Sequence, residues 1–229
     1  MKKFIIVLLG ISLFMMSCEE IFDTKSDDKL GGNTDIPLNT VGNTFDVSVY
    51  MNNSYLVVPS SATITKSDNG INTIEIVADL SQVPGFATIN SLIPAVYKDS
   101  QGRVNLKTKA KVTSEGILTY MTPEGIVSYA NSEEIPYIAV RYDCKVGDVY
   151  KMKKKDGSTM TRTVISKSTT DDYPIGFMYI KVIKIVEEPP YPGLSQNVYY
   201  FNHKFGFVGY ELIADDGSKL EGTIFPDNY

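Results

Sequence analysis

The chain has 229 residues, 43% of them hydrophobic and 21% charged, which is the composition of a folded globular protein and excludes a disordered or fibrous one. Its formal net charge is −5, with 22 basic residues against 27 acidic ones. Because binding to a phosphate backbone depends on basic side chains, this balance argues against a nucleic-acid partner.

The N-terminal stretch has the layout of a signal peptide. It starts with the basic pair Lys2-Lys3, continues with an apolar run at residues 4–16 and ends with the small residue Ser17, directly before Cys18. The apolar run has 13 residues, whereas a helix that crosses the hydrocarbon core of a bilayer needs about 20. Cleavage before the cysteine is therefore favoured over a permanent transmembrane helix.

The tetrapeptide Met15-Met16-Ser17-Cys18 resembles the bacterial lipobox, in which a leucine and two small residues precede an invariant cysteine. Methionines stand in place of the leucine and the first small residue. The resemblance implies that residues 1–17 are removed and that Cys18 carries a diacylglycerol on its sulfur and an acyl chain on its new amino group. Two or three such chains hold a protein on a membrane, since each buried methylene contributes about 0.8 kcal/mol.

Directly behind Cys18, an acidic cluster is formed by Glu19, Glu20 and Asp23. It is similar to the tether that sends lipoproteins of Bacteroidota to the outer face of the outer membrane. The resemblance implies a lipid-anchored outer-membrane protein on the cell surface, with the periplasmic face as the alternative. Residues 18–42 as a whole are rich in Asp, Ser, Thr, Gly and Asn and show no helical or strand period, so they are predicted to be a flexible tether.

From residue 43 onward, short alternating runs rich in Val, Ile, Thr and Tyr are typical of an antiparallel β protein. In the first β region, residues 43–132, the sequence Asn69-Gly70 predicts a hairpin because both residues tolerate positive φ. A weaker turn at residues 100–102 precedes a strongly alternating run at residues 104–112.

Residues 133–229 form a second, better patterned β region. Turns at Asp156-Gly157 and Asp216-Gly217 each join two strands, and residues 187–193 predict a long loop because they contain three prolines. Seven strands are predicted in simple succession, at residues 137–142, 148–152, 159–166, 177–186, 198–203, 207–213 and 218–225. The fold class is therefore all-β, an antiparallel meander forming a curved sheet, half-barrel or sandwich, with the two β regions as separate domains or as one.

The second β region also resembles a group of proteins. Val146-Gly147-Asp148 and the aromatic stretch Tyr199-Tyr200-Phe201 that leads into residues 205–210 are similar to uncharacterised β-rich lipoproteins of Bacteroidota. Several of those are half-barrels that resemble the carriers of lipids and lipoproteins in the bacterial envelope. The resemblance implies a curved sheet that encloses an apolar ligand.

Side chains suited to catalysis are few. Serine and cysteine nucleophiles normally need a base, and the single histidine, His203, falls at a predicted strand end where a turn or edge role is favoured. After processing, Cys144 has no partner cysteine, and one histidine with one cysteine cannot assemble the usual zinc ligand sets. We therefore predict no catalytic residue, no metal site and no cofactor.

Carboxylates are the most plentiful polar groups. Asp171-Asp172 and Asp215-Asp216 could hold calcium through oxygen ligands, but no calcium-loop spacing is present. Aspartate is common in turns because of its local hydrogen bonds, and that interpretation is favoured.

Aromatic residues are abundant, with 15 Tyr and 10 Phe but no Trp. Tyr191, Tyr199 and Tyr200, near the proline loop, are candidates for a patch that binds a glycan or peptide. The alternative is that they occupy half-buried strand positions, where tyrosine pairs well across strands.

Together these features predict a non-enzymatic, lipid-anchored envelope protein that acts as a binding or accessory component at the outer membrane. Its expected partners are the membrane, through the anchor, and an envelope protein or a glycan or peptide ligand. Two alternatives stay open: a carrier of a lipid or acyl chain, and a carboxylate-dependent hydrolase.

Overall fold

The computed structural model describes residues 30–58, 60–79, 95–122, 133–190 and 193–226. Within these ranges there are fifteen β-strands and two short 3-10 turns, and no α-helix, so the all-β prediction is confirmed. In chain order the strands are β1 (Thr44–Met51), β2 (Ser54–Leu56), β3 (Ser60–Asp68), β4 (Ile71–Ala78), β5 (Val104–Thr113), β6 (Gly116–Met121), β7 (Ile135–Arg141), β8 (Val149–Lys153), β9 (Thr159–Lys167), β10 (Tyr173–Ile175), β11 (Met178–Ile180), β12 (Ile183–Glu188), β13 (Leu194–Asn202), β14 (Gly206–Ala214) and β15 (Lys219–Pro226).

Thirteen of these strands form one antiparallel sheet, in the order β7-β6-β5-β4-β3-β1-β15-β14-β13-β12-β9-β8, with β2 paired to β1. The sheet curves into a nearly closed barrel, as the predicted curved sheet requires. The first strand pairs with the last, so that Val47 lies opposite Ile224 and Met51 opposite Leu220. Both β regions of the sequence therefore contribute to one sheet.

The barrel closes along a seam between its edge strands, β7 and β8, where side chains take the place of a backbone ladder. The Tyr137 hydroxyl donates to the carbonyl of Tyr150 at 3.4 Å, and the Tyr150 hydroxyl accepts from the backbone N–H of Arg141 at 3.3 Å. The ammonium of Lys167 donates to the carbonyl of Cys144 at 2.9 Å. Long polar side chains thus join the two edges that the twist of the sheet brings together.

The main hydrophobic core lies beside this seam. Inward residues of β8, β9 and β12 alternate with exposed ones and pack against β6 and β7. Met160, Val164 and Ile185 are 3%, 0% and 0% exposed, and Tyr137, across the seam, is also 0% exposed. This side of the barrel is therefore filled.

The structure corrects the boundary of the predicted tether, residues 18–42. Residues 30–42 pack across one end of the barrel, where Leu30 and Leu38 are 5% and 6% exposed. The buried amide of Asn39 donates to the carbonyl of Val112 on the barrel and to the carbonyl of Thr34 within the segment. Polarity alone therefore does not indicate flexibility here. The rest of the predicted tether, the predicted signal peptide and Cys18 lie outside the described residues.

The predicted strand at residues 177–186 is also corrected, because a break at residues 181–182 divides it into β11 and β12. A turn at Gly176, with φ of 54°, separates β10 from β11, and this hairpin leaves the sheet and packs on the outer face of β13. Tyr173 of the hairpin stacks on Tyr200 with ring centroids 4.9 Å apart. Strand β9 therefore pairs with β12 and not with the next strand in the chain. The strands of the sheet do not all follow one another in sequence order.

Candidate functional site

The interior of the barrel contains a cavity of about 450 Å³. Its wall comes mainly from the inward faces of β1, β3, β4, β5, β14 and β15, on the side away from the filled core. Most of the wall is apolar, and its larger side chains include Phe45, Val47, Ile64, Ile74, Ile76 and Ile224.

Several inward positions of these strands carry small or short side chains between the larger ones. They include Ala62, Ala78, Thr108 and Ala110, whereas the inward positions of β8, β9 and β12 carry mainly Tyr, Met, Val and Ile. Because strand alternation turns residues inward on both sides, these smaller side chains help to leave space in the interior on this side.

One end of the cavity is covered by the packed N-terminal segment. Leu38 belongs to the wall and meets Gly206, where an added Cβ would stand 3.4 Å from Leu38 Cδ1. Next to Leu38, the side chain of Asn39 accepts a hydrogen bond from the amide of Asn72 at 2.7 Å and donates to the carbonyl of Val112 at 3.0 Å. This buried amide pair holds the cover on the barrel.

A buried ion pair stands where the cavity meets the filled core. Arg162, on β9, donates through Nε to Oε2 of Glu187, on β12, at 2.7 Å, and the two side chains are 6% and 0% exposed. The Nη1 of Arg162 donates to Oγ1 of Thr119 at 2.9 Å and to the carbonyl of Ile138 at 3.2 Å, both across the seam. The guanidinium therefore lines the cavity and also joins the two edges of the barrel across the seam.

Aromatic groups complete the surroundings of this pair. The Arg162 guanidinium lies 4.1 Å from the centroid of the Tyr137 ring, and the Tyr199 hydroxyl donates to Oε1 of Glu187 at 3.2 Å. Burial by itself would lower the pKa of Arg162, but the adjacent Glu187 carboxylate more than offsets burial, so the pKa lies above its ordinary value. The arginine stays charged, and Glu187 balances that charge.

Several polar atoms of the wall lack a hydrogen-bond partner within the part of the chain that the structure describes. They are Ser60 Oγ, Thr108 Oγ1 and Asn72 Oδ1. Burial raises the pKa of Tyr210, another wall residue, to about 12, so its hydroxyl is uncharged at neutral pH. The wall thus combines an apolar majority with a few uncharged groups that are able to bind a polar atom.

The structure separates the predicted tyrosine candidates. Tyr199 faces inward and forms part of the cavity wall. Tyr200 faces the other way, stacks on Tyr173 and donates its hydroxyl to Oε2 of Glu211 at 3.1 Å. Neighbouring strand residues point to opposite faces, so these two tyrosines do not share a patch. Tyr191 lies outside the described residues.

The other candidate residues from the sequence are exposed, buried or hydrogen-bonded to residues close by in the chain. His203 is exposed in the turn between β13 and β14, while Cys144 is 4% exposed and burial raises the pKa of its thiol. Asp172 accepts from the Ser168 hydroxyl at 2.7 Å, and Asp216 accepts from the backbone N–H of Ser218 at 2.8 Å. In the described ranges, His, Cys, Asp and Glu side chains form no group of three or more that could hold a metal ion.

The sequence reasoning missed Arg162 and Glu187. A signal for both was present, because each continues an alternating run at a position that should face inward, after Met160 and after Ile185. A charged residue at such a position needs a partner, but the alternation within one strand does not show which residue provides it.

No protein-family model, curated protein or solved structure shows a significant match to the chain. Among the described residues, no helix has the length and apolar character needed to span a membrane. The fold and the site therefore define the class by themselves: a barrel-like antiparallel β protein with an apolar internal cavity and a buried ion pair in the cavity wall.

Proposed function

We propose that this protein binds an apolar ligand, with a lipid or acyl chain as the natural candidate, inside the barrel. The observation that carries the proposal is the apolar cavity of about 450 Å³. Small-molecule sites are typically concave, mostly apolar and about 300–1,000 Å³ in volume. Its size, its lining and its few polar groups all agree with this description.

The volume is too large to be an ordinary packing defect. Protein interiors are about as dense as organic crystals, and voids larger than a water molecule are few. An apolar cavity of about 150 Å³ is already enough to bind a small aromatic molecule. A cavity three times that size, built from small residues on adjacent strands, fits a bound ligand better than a failure to pack.

In this proposal the protein is a non-enzymatic binding component of the bacterial envelope. The lipobox-like sequence before Cys18 and the acidic residues behind it support a lipid anchor in the outer membrane, on the cell surface or on the periplasmic face. Substitution Cys18→Ala should then release the protein from the membrane fraction and abolish labelling with palmitate. Protease treatment of intact cells distinguishes the two faces, because a surface protein is digested without lysis.

Ligand binding can be tested with tryptophan as a position-specific reporter, since the chain contains none. Ala62 lies in the cavity wall, and the next residue of β3, Thr63, belongs to the opposite face. We expect bromododecane, a neutral bromoalkane whose bromine quenches indole fluorescence, to quench the tryptophan fluorescence of the Ala62→Trp variant saturably. The matched Thr63→Trp variant should show little quenching.

Native mass spectrometry of the purified protein provides an independent measurement, with a co-purified lipid as the expected result. Equal quenching at positions 62 and 63 would mean that the alkane adsorbs to the outer surface. Absence of both quenching and a co-purified ligand would contradict the proposed function.

A further inference from the structure

We infer that the ligand is a neutral amphiphile, an apolar chain whose uncharged ester, amide or hydroxyl group accepts a hydrogen bond from Arg162. This inference rests on the proposed function and assigns the chemical class of the ligand in the same cavity. It follows from three properties of the wall: a donor that is incompletely used, a balanced charge, and uncharged polar atoms that have no hydrogen-bond partner among the described residues.

The donor is the Nη2 group of Arg162. Nε and Nη1 are engaged with Glu187, Thr119 and the Ile138 carbonyl, but the one hydrogen bond that Nη2 makes to the described residues is to Sδ of Met121, at 4.0 Å. Sulfur in a thioether is a weak acceptor. Arg162, Thr119 and Met121 all belong to the cavity wall, so an oxygen acceptor on a ligand would satisfy a buried N–H that the protein leaves nearly unpaired.

The charge balance selects against a carboxylate. Two cationic residues belong to the wall, and each already has an anionic partner: Arg162 is 2.7 Å from Glu187, and Lys109 is 2.9 Å from Glu134. A ligand carboxylate at Arg162 would bring a second negative charge close to Glu187 in surroundings that screen charges poorly. An ester or hydroxyl oxygen accepts the same hydrogen bond without that repulsion.

The remaining polar atoms of the wall are also uncharged. Thr108 Oγ1 and Ser60 Oγ can each donate or accept a hydrogen bond, and Asn72 Oδ1 can accept one. Buried polar groups are normally paired, so these atoms are suited to the polar group of a ligand or to water carried with it. None of them would neutralise an anion.

The test compares ligands that have a chain of twelve carbons and different ends: dodecane, dodecanol, glycerol monolaurate and laurate. Each is titrated at neutral pH into the full-length protein loaded with Nile red, an uncharged fluorescent probe, and the displacement is measured. We expect dodecanol and glycerol monolaurate to bind about tenfold more tightly than laurate, which corresponds to about 1.4 kcal/mol.

A charge-neutralising variant sharpens the test. Glu187→Gln removes the negative charge beside Arg162, so the affinity for laurate should rise at least about fivefold relative to dodecanol. Glu188→Gln, at the exposed neighbouring position of β12, is the matched control and should leave the ratio of the laurate and dodecanol affinities unchanged. If Glu187→Gln does not fold, the order of the four ligand affinities measured with the unmodified protein still tests the inference.

Each other outcome has a definite meaning. If laurate binds the unmodified protein most tightly, or if all four ligands bind equally, the neutral-amphiphile inference is overturned while the proposed function stands. If none of the four displaces Nile red, the proposed function fails together with the inference.

Discussion

The two sides of the barrel follow the same strand pattern, yet one is solid and the other hollow. On the seam side, inward Met160, Val164 and Ile185 are almost completely buried against the opposite wall. On the other side, the inward residues Ala62 and Thr108 belong to the wall of the cavity. The difference shows that alternation places residues inside, while side-chain volume decides whether the inside becomes core or binding space.

The largest expected effect concerns the boundary between the two sides. Arg162→Met removes one member of the buried ion pair and leaves Glu187 uncompensated, which typically costs about 3–5 kcal/mol. The substitution also removes the bonds to Thr119 and to the Ile138 carbonyl that cross the seam. Urea unfolding followed by circular dichroism measures the loss.

The double variant Arg162→Met with Glu187→Leu is the control for this prediction. Replacing both charges with apolar side chains of similar volume is often close to neutral, so much of the lost stability should return. A double variant as unstable as the single one would show that the seam bonds, rather than the buried charge, dominate the effect.

A second prediction compares the same substitution on each side. Ile185→Ala, at a fully buried position of the filled side, should cost about 3–5 kcal/mol, because it removes well-packed atoms and creates a cavity. Ile76→Ala, in the wall of the hollow side, should cost about 2 kcal/mol or less, since it enlarges a space that already exists. Equal losses in urea unfolding would argue that both sides are packed alike in solution.

The smallest effect is expected at the seam itself. Tyr150→Phe keeps the ring but removes the hydroxyl that accepts from the backbone of Arg141, a hydrogen bond with a net contribution of about 1 kcal/mol. The matched substitution Tyr179→Phe changes a hydroxyl on a residue that is 66% exposed and should have almost no effect. If both variants unfold at the same urea concentration as the parent, the Tyr150 hydroxyl does not contribute to closure.

Local features of the fold were predictable from the sequence because their causes are local. The hairpins at Asn69-Gly70 and Asp216-Gly217 are present, with positive φ at Asn69, Gly70 and Gly217. The break between β11 and β12, at residues 181–182, was missed because apolar residues continue on both sides of it, and strand β10 was not predicted. Residues 30–42 were assigned to the tether because the burial of Leu30 and Leu38, and the hydrogen bond from Asn39 to Val112, depend on strands that are distant in the sequence.

The candidate site was predictable only in part. Tyr199 was a candidate, together with Tyr191 and Tyr200 near the proline loop, for a patch that binds a glycan or peptide, and the structure places it in the cavity wall. Its neighbour Tyr200 could have been separated from it by alternation alone. Arg162 and Glu187 are 25 residues apart in the chain, and their pairing depends on the register between β9 and β12, which includes a bulge. No local pattern specifies that register.

The sequence by itself determined the all-β class, the positions of the main hairpins and the inward or outward direction of residues along each strand, because turn geometry and strand alternation act over a few residues. It also carries the lipobox-like signal on which the proposed anchor depends. Only the tertiary structure decided that the first and last strands pair, that side chains close the seam and that one side of the barrel is hollow. These features arise from contacts between distant segments, where the volumes and charges of many side chains must be satisfied together.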